Sequence, residues 1–148
     1  MEAGFVLVCD AVRPRPDGLF DAIGAGYQYV AVDPSDRMFR RTCVAQILCE
    51  PEDVGKTAEI GLVLFSPTGQ VLAACGWDVS AIAPEGRDPA ELVGRPVYAV
   101  VRMETRVEDA GLHRLVVFRG ERALAEWPVT VELRPNGVRT PADEPIPR

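Results

Sequence analysis

The fold class this sequence predicts is all-β. Turn signals built from Pro, Gly, Asp and Ser recur at roughly 8–12-residue spacing along the chain. Two segments, residues 57–65 and 123–133, alternate apolar and polar side chains with a period of two. Only one short stretch, around Asp88, carries the punctuation of a helix. Together these features predict an antiparallel β-sandwich, immunoglobulin-like in strand number, with about eight short strands and at most one short helix. A sheet must bury its inner face against a second layer, which favours a sandwich over an isolated sheet.

The first predicted strand, residues 5–12, is apolar except for Asp10 and reads as a strand covered on both faces. Arg13-Pro14-Arg15-Pro16-Asp17-Gly18 reads as a turn. Residues 19–23 and 27–32 read either as two short strands around Gly24-Ala25-Gly26 or as one strand bulged there. Asp33-Pro34-Ser35-Asp36 is a loop, followed by a charged stretch over 37–41 and an apolar strand over 42–49. Residues 50–55 form a turn. Residues 57–65 then face Ala58, Ile60, Leu62 and Leu64 one way, and Ser66-Pro67-Thr68-Gly69 turns the chain into a return strand over 70–75.

Residues 76–96 read as a long connection, rich in Pro and Gly, in which Asp88 caps one helical turn starting at Pro89. Strands follow over 97–103 and 112–118. The last, over 123–133, points Ala123, Ala125, Trp127, Val129, Val131 and Leu133 one way. Pro128 has no N–H, so it marks an edge strand or a bulge there. The chain thus divides into one domain over residues 1–134 and a Pro-rich flexible tail over 135–148.

Composition narrows the function. The 148 residues are 47% hydrophobic, enough for a core without metal or disulfide staples. The net charge of −6 argues against a nucleic-acid binder and against docking on an anionic membrane. Lys56 is the single lysine among sixteen basic residues, a usage expected of a high-GC bacterial genome. The opening residues lack a basic n-region and no run approaches a membrane span, so the expected compartment is the cytoplasm. Cys9, Cys43, Cys49 and Cys75 lie in apolar runs and read as reduced, buried thiols.

No cofactor or metal motif emerges. Cys43-x5-Cys49 fits no zinc knuckle, and Gly24-Ala25-Gly26 lacks the third glycine and the βαβ unit of a dinucleotide loop. His113, the only histidine, reads as a polar residue at a strand end, with a catalytic base as the alternative. Asp10 follows an apolar run and is costly to bury unless paired, so it reads as a structural polar residue held by Arg13 or by backbone N–H groups. Arg13, Arg15, Arg37, Arg40 and Arg41 read as a solvated face or, together, an anion patch. Trp77 and the neighbouring Asp78 open the long connection and are the candidate partner-binding residues, against a plain packing role for the tryptophan.

Cys9-Asp10-Ala11-x-Arg13 followed by Asp17-Gly18 resembles the opening of a widespread family of uncharacterised bacterial proteins classed as a domain of unknown function. The hairpin at Ser66-Pro67-Thr68-Gly69, the Gly111-x-His113 strand start, Gly120-Glu121 and Trp127-Pro128-Val129 are similar to that family's later part. The resemblance implies a small cytoplasmic β-sandwich and supplies no catalytic residues. Gly24-Ala25-Gly26-Tyr27 is richer in glycine than the family's second strand. The expected function is a non-enzymatic interaction or accessory module, docking a protein partner through an edge strand or the 76–96 connection. A small-molecule or anion-binding domain is the alternative, and an enzyme using Asp10 or His113 is the third reading.

Overall fold

Side-chain alternation with a period of two makes strands wherever one face finds a partner layer. Residues 57–65 do so, with Ala58, Ile60, Leu62 and Leu64 at most 8% exposed. In the structure, a computed structural model that describes residues 1–17, 19–26 and 28–135, ten strands form among the described residues. They are β1 (Glu2–Cys9), β2 (Ala11–Pro14), β3 (Phe20–Ile23), β4 (Tyr29–Val32), β5 (Met38–Leu48), β6 (Thr57–Phe65), β7 (Val71–Ser80), β8 (Pro96–Arg106), β9 (Gly111–Arg119) and β10 (Arg122–Leu133). Single 3₁₀ turns occupy Pro51–Asp53 and Pro89–Leu92, the second capped by the Asp88 side chain accepting from the Ala90 N–H.

The strands make a sandwich. One sheet is β1-β5-β8, the other β4-β10-β9-β6-β7, and β2-β3 is a separate hairpin. All pairs are antiparallel except β4 with β10, which is parallel. The core lies between the inward rows: Val6 and Val8 of β1, Cys43, Ala45 and Ile47 of β5, and the rows of β6, β9 and β10. Each fully buried Val, Leu or Ile there contributes about 1.5–3 kcal/mol relative to exposure.

Several boundaries differ from the sequence expectation, each for a physical reason. The first strand breaks at Asp10 because the chain leaves the sheet and turns over its outer face. Ala11 and Val12, expected to end the first strand, and Arg13 and Pro14, expected to begin the turn, pair instead with Phe20–Ile23. This hairpin covers the outer side of β1 and β5, where Cys9 and Val44 are 0% exposed, and packs Phe20 edge-on to Tyr98 at 4.8 Å. That is how β1 comes to be covered on both faces. The residues after it form two strands in different layers, separated by Gly24 and Gly26 at positive φ. β5 starts at Met38, inside the charged stretch, because Arg40 and Thr42 point outward.

Pro128 also has an explanation. The Thr130 N–H donates to the Gln28 carbonyl where β4 begins. Pro128, two residues earlier, faces the same side beyond the end of β4, where no donor is needed. The bulge in β10 lies elsewhere, between Ala123 and Ala125. The last described ladder bond runs from the Arg134 N–H to the Val32 carbonyl, and residues 136–148 of the expected tail lie outside the described residues.

One buried ion cluster ties the chain start to the wide sheet. Asp53 is 0% exposed and meets both the Met1 ammonium and, at 2.8 Å, the Arg119 guanidinium. Glu50 meets the same ammonium at 2.8 Å, which holds its carboxyl below the usual range. Breaking a buried pair from one side costs about 3–5 kcal/mol, because the other charge is left behind in the interior.

The thiols are free, Cys9 and Cys43 buried as expected and Cys49 and Cys75 only partly so. Desolvation, reinforced by the neighbouring Cys9 and Cys75, pushes Cys43 up to about 12. Desolvation also raises Cys9, helped by the charge of Asp10, and raises Cys75 against a bond to the Leu62 carbonyl. The thiolate is the reacting form, so at pH 8 only about one Cys43 in ten thousand is competent. Iodoacetamide labelling of the native protein, read by mass spectrometry, should leave Cys43 unmodified until the chain is unfolded in urea. Rapid native labelling of Cys43 would contradict this packing.

Candidate functional site

β7 is the outermost strand of the five-stranded sheet. It arises because the Ser66–Gln70 turn is closed by Ser66 N–H to the Gln70 carbonyl at 2.8 Å and by Gln70 N–H to the Ser66 hydroxyl at 3.0 Å, with Gly69 at positive φ. A bulge at Leu72 follows. From there the strand alternates: Ala73, Cys75, Trp77 and Val79 face the core, while Ala74, Gly76, Asp78 and Ser80 face outward. The Thr57 and Ser80 hydroxyls, 2.8 Å apart, confirm that outward row. The strand was expected to end at Cys75 because Gly76 reads as a breaker. The inward row Cys75, Trp77, Val79 was the signal that it continues.

Trp77 and Asp78 are therefore strand residues, and they lie on opposite faces. Trp77 packs against the core, and its indole N–H is buried with no hydrogen-bond partner. Asp78 is exposed, directly across from Glu59 of β6. The connection that follows is shorter than expected, residues 81–95.

Among the described residues the backbone of β7 pairs only with β6. Along its free side, the Leu72 carbonyl accepts a 2.8 Å bond from the Thr105 hydroxyl of β8. Natural sheets blunt such edges with charged side chains, Pro, bulges or brevity. Val-Leu-Ala-Ala-Cys-Gly-Trp-Asp-Val-Ser has no Pro, Lys or Arg over ten residues, and past the bulge at Leu72 its one charge is Asp78. The other edges are managed. β8 carries Pro96, Arg102, Glu104 and Arg106, β4 is four residues long, and β1 is bulged near Gly4 and turns into the hairpin.

Beside β7 the outer face of the wide sheet carries an apolar patch bordered by Glu59. A shallow hollow of about 510 Å³ is floored by Gly61 and Gly76 and walled by Val63, Phe65, Val71 and Phe118. Phe65 and Phe118 meet at 6.1 Å, and the Arg114 guanidinium lies 5.5 Å from the Phe65 ring centre. A second cavity, of about 380 Å³, opens where β7 and β8 part beneath the 81–95 connection. Ile47, Cys49, Val79, Leu92 and Val97 give it an apolar lining, and Arg95 and Ser80 add polar groups.

The remaining candidate residues have structural partners. Asp10 is half-exposed at the kink between β1 and β2. Its N–H donates to the Ile23 carbonyl at 3.0 Å and its carboxylate lies 4.0 Å from Arg41, so Arg41 takes the place expected of Arg13. Arg15 pairs with Asp17 and Asp21, Arg37 with Glu108 and Arg40 with Asp36. The expected anion patch is thus four arginines already matched to carboxylates, plus Arg13 on β2. The Arg40 bond and the Met38 N–H together hold the Asp36 carboxyl below its ordinary value, the backbone bond contributing most.

His113 was expected to be a polar residue at a strand end. It is 0% exposed, inside β9 opposite Val129, because the alternation of the strand turns it inward. Its Nδ1 lies 3.0 Å from the Gly111 carbonyl, and Nε2 has no partner. A carbonyl only accepts, so Nδ1 carries the proton in this contact. The ring cannot touch a substrate in this conformation. Among the described residues no group of three His, Cys, Asp or Glu side chains is placed to hold a metal ion, and no helix is long and apolar enough to cross a membrane.

No family model and no curated protein matches the chain. Solved structures that do match include the crystal structure of an immunoglobulin-like protein from Pseudomonas aeruginosa, 17% identical, covering 88% of this chain and 94% of that one with a TM-score of 0.40. A likeness that slight carries no argument, and the sandwich rests on the two sheets themselves.

Proposed function

We propose that this protein is a non-enzymatic interaction module that docks a protein partner along the free edge of β7. The observation that carries the reading is a ten-residue edge without Pro, Lys or Arg, bordered by an apolar patch on the outer face. An extended segment added to such an edge gains main-chain hydrogen bonds for affinity and side-chain contacts for specificity. The bacterial, cytoplasmic setting and the resemblance to an uncharacterised family belong to this proposal.

Affinity capture from a lysate of the native host, comparing the wild-type chain with an Ala74→Lys/Asp78→Lys double variant, tests it. Both side chains are exposed, so the variant should keep its urea midpoint within about 0.5 kcal/mol of wild type and lose the stoichiometric partner. Trp77→Ala, by contrast, should lower stability by about 3–5 kcal/mol, because the ring packs on the core. Undiminished capture by the double lysine variant would contradict docking at β7.

A second reading is favoured by the cavity near Arg95, which has a volume typical of small-molecule sites. A short apolar carboxylate would place its tail between the sheets and its charge at Arg95. In a thermal-shift series with medium-chain carboxylates, the melting temperature should then rise with concentration for the wild type and stay flat for Arg95→Ala. Flat curves for both would remove this reading.

A further inference from the structure

Gly61 and Gly76 stand directly opposite each other on β6 and β7, and the fold itself requires neither. Both lie outside the set of glycines at positive φ. A Cβ on Gly61 would come no closer than 3.8 Å to another atom, and one on Gly76 no closer than 3.6 Å, which are ordinary contacts. Glycine inside a strand costs about 0.5–1 kcal/mol relative to alanine, because the unfolded chain has more freedom to lose. It also forgoes cross-strand packing and often marks a place where another group approaches closely. Around the pair the chain leaves a shallow hollow, bordered by Phe118, whose Cβ would lie 3.9 Å from a Cβ on Gly61, and by the Glu59 carboxylate, 3.8 Å from one on Gly76.

Two residues along the same face, Glu59 and Asp78 are direct cross-strand partners. Like charges in that position destabilise a sheet. Among the described residues neither carboxylate is in an ion pair, although Arg15, Arg37, Arg40 and Arg41 are all matched to acids. An apolar hollow and an uncompensated acidic pair therefore sit two residues apart beside an open strand edge.

We infer that the segment received by β7 carries a bulky apolar residue over the Gly61–Gly76 hollow and a Lys or Arg two positions away, opposite Asp78. This rests on the edge-docking reading and names the chemistry of the partner. Alternate residues of an added strand share a face, so the spacing follows whether the segment runs parallel or antiparallel. A second copy of the chain is the poorer occupant. Its own β7 has no Lys or Arg to bring, and antiparallel self-pairing about Asp78 would oppose like charges.

A surface-displayed library of random twelve-residue segments, selected against the full chain, tests this, with ¹⁵N amide shifts locating each binder. The expected result is binders at β7 with Lys or Arg enriched two positions from Val, Ile, Leu or Phe. Gly76→Val should weaken them about tenfold while leaving the urea midpoint unchanged or higher, and Asp78→Arg should turn the selected preference from basic to acidic. Binders that map to β7 without basic enrichment, or that ignore Gly76→Val, would overturn the inference and leave edge docking standing. Binders that map elsewhere, or none at all, would overturn both.

Discussion

The packing of a five-stranded sheet on a three-stranded one is the constraint from which the rest follows. The wide sheet is covered on its inward face from the β4 edge, where Val30 and Val32 are at most 2% exposed, through β10 to β6. Ile60, Leu62 and Leu64 of β6 and Leu115 and Val117 of β9 are 0% exposed. At the β7 margin Ala73, Cys75 and Trp77 reach the core but do not disappear into it, while Val79 at the far end of the row is buried. β8 touches β7 near Leu72 through the Thr105 hydroxyl and then diverges towards the 81–95 connection. An edge that is half covered inside and bare outside is available to another strand, while the sandwich beneath it stays rigid.

Charge is distributed in the same spirit. The arginines expected to form an anion patch are spent on neighbouring carboxylates, mostly at the surface, where each pair contributes little to stability. Their effect is to hold loops: Arg37 fixes the Asp33–Arg37 turn to Glu108, and Arg41 holds the kink at Asp10. Among the described residues the deeply buried cluster around Asp53 is matched by two cations. Against that background the Glu59–Asp78 pair stands apart.

Much of the fold was legible in the sequence, because alternation and turn chemistry are local. The β6–β7 hairpin, the 3₁₀ turn after Asp88 and the inward row of β10 follow from residues within a few positions of each other. What was not legible depends on contacts distant in sequence. Nothing near Ala11–Pro14 announces that it pairs with Phe20–Ile23 and folds over β1, and a turn rich in Pro and Asp reads the same either way. The candidate site was half legible. Trp77 and Asp78 were singled out, but Gly76 hid the strand that carries them, and the opposition of Gly61 to Gly76 exists only once the register is known. His113 shows the converse. Its row on β9 runs His113, Leu115, Val117, which is an inward row, yet a histidine just after Gly111 reads only as a polar residue at a strand end.

The most direct measurement is amide hydrogen exchange along β7 in the free full-length chain at two concentrations well separated. An open edge predicts alternation: amides pointing at β6 protected as strongly as those of β6 itself, and those pointing away exchanging orders of magnitude faster, at both concentrations. Uniform protection along residues 71–80 would mean that the edge is already covered, and would contradict the account.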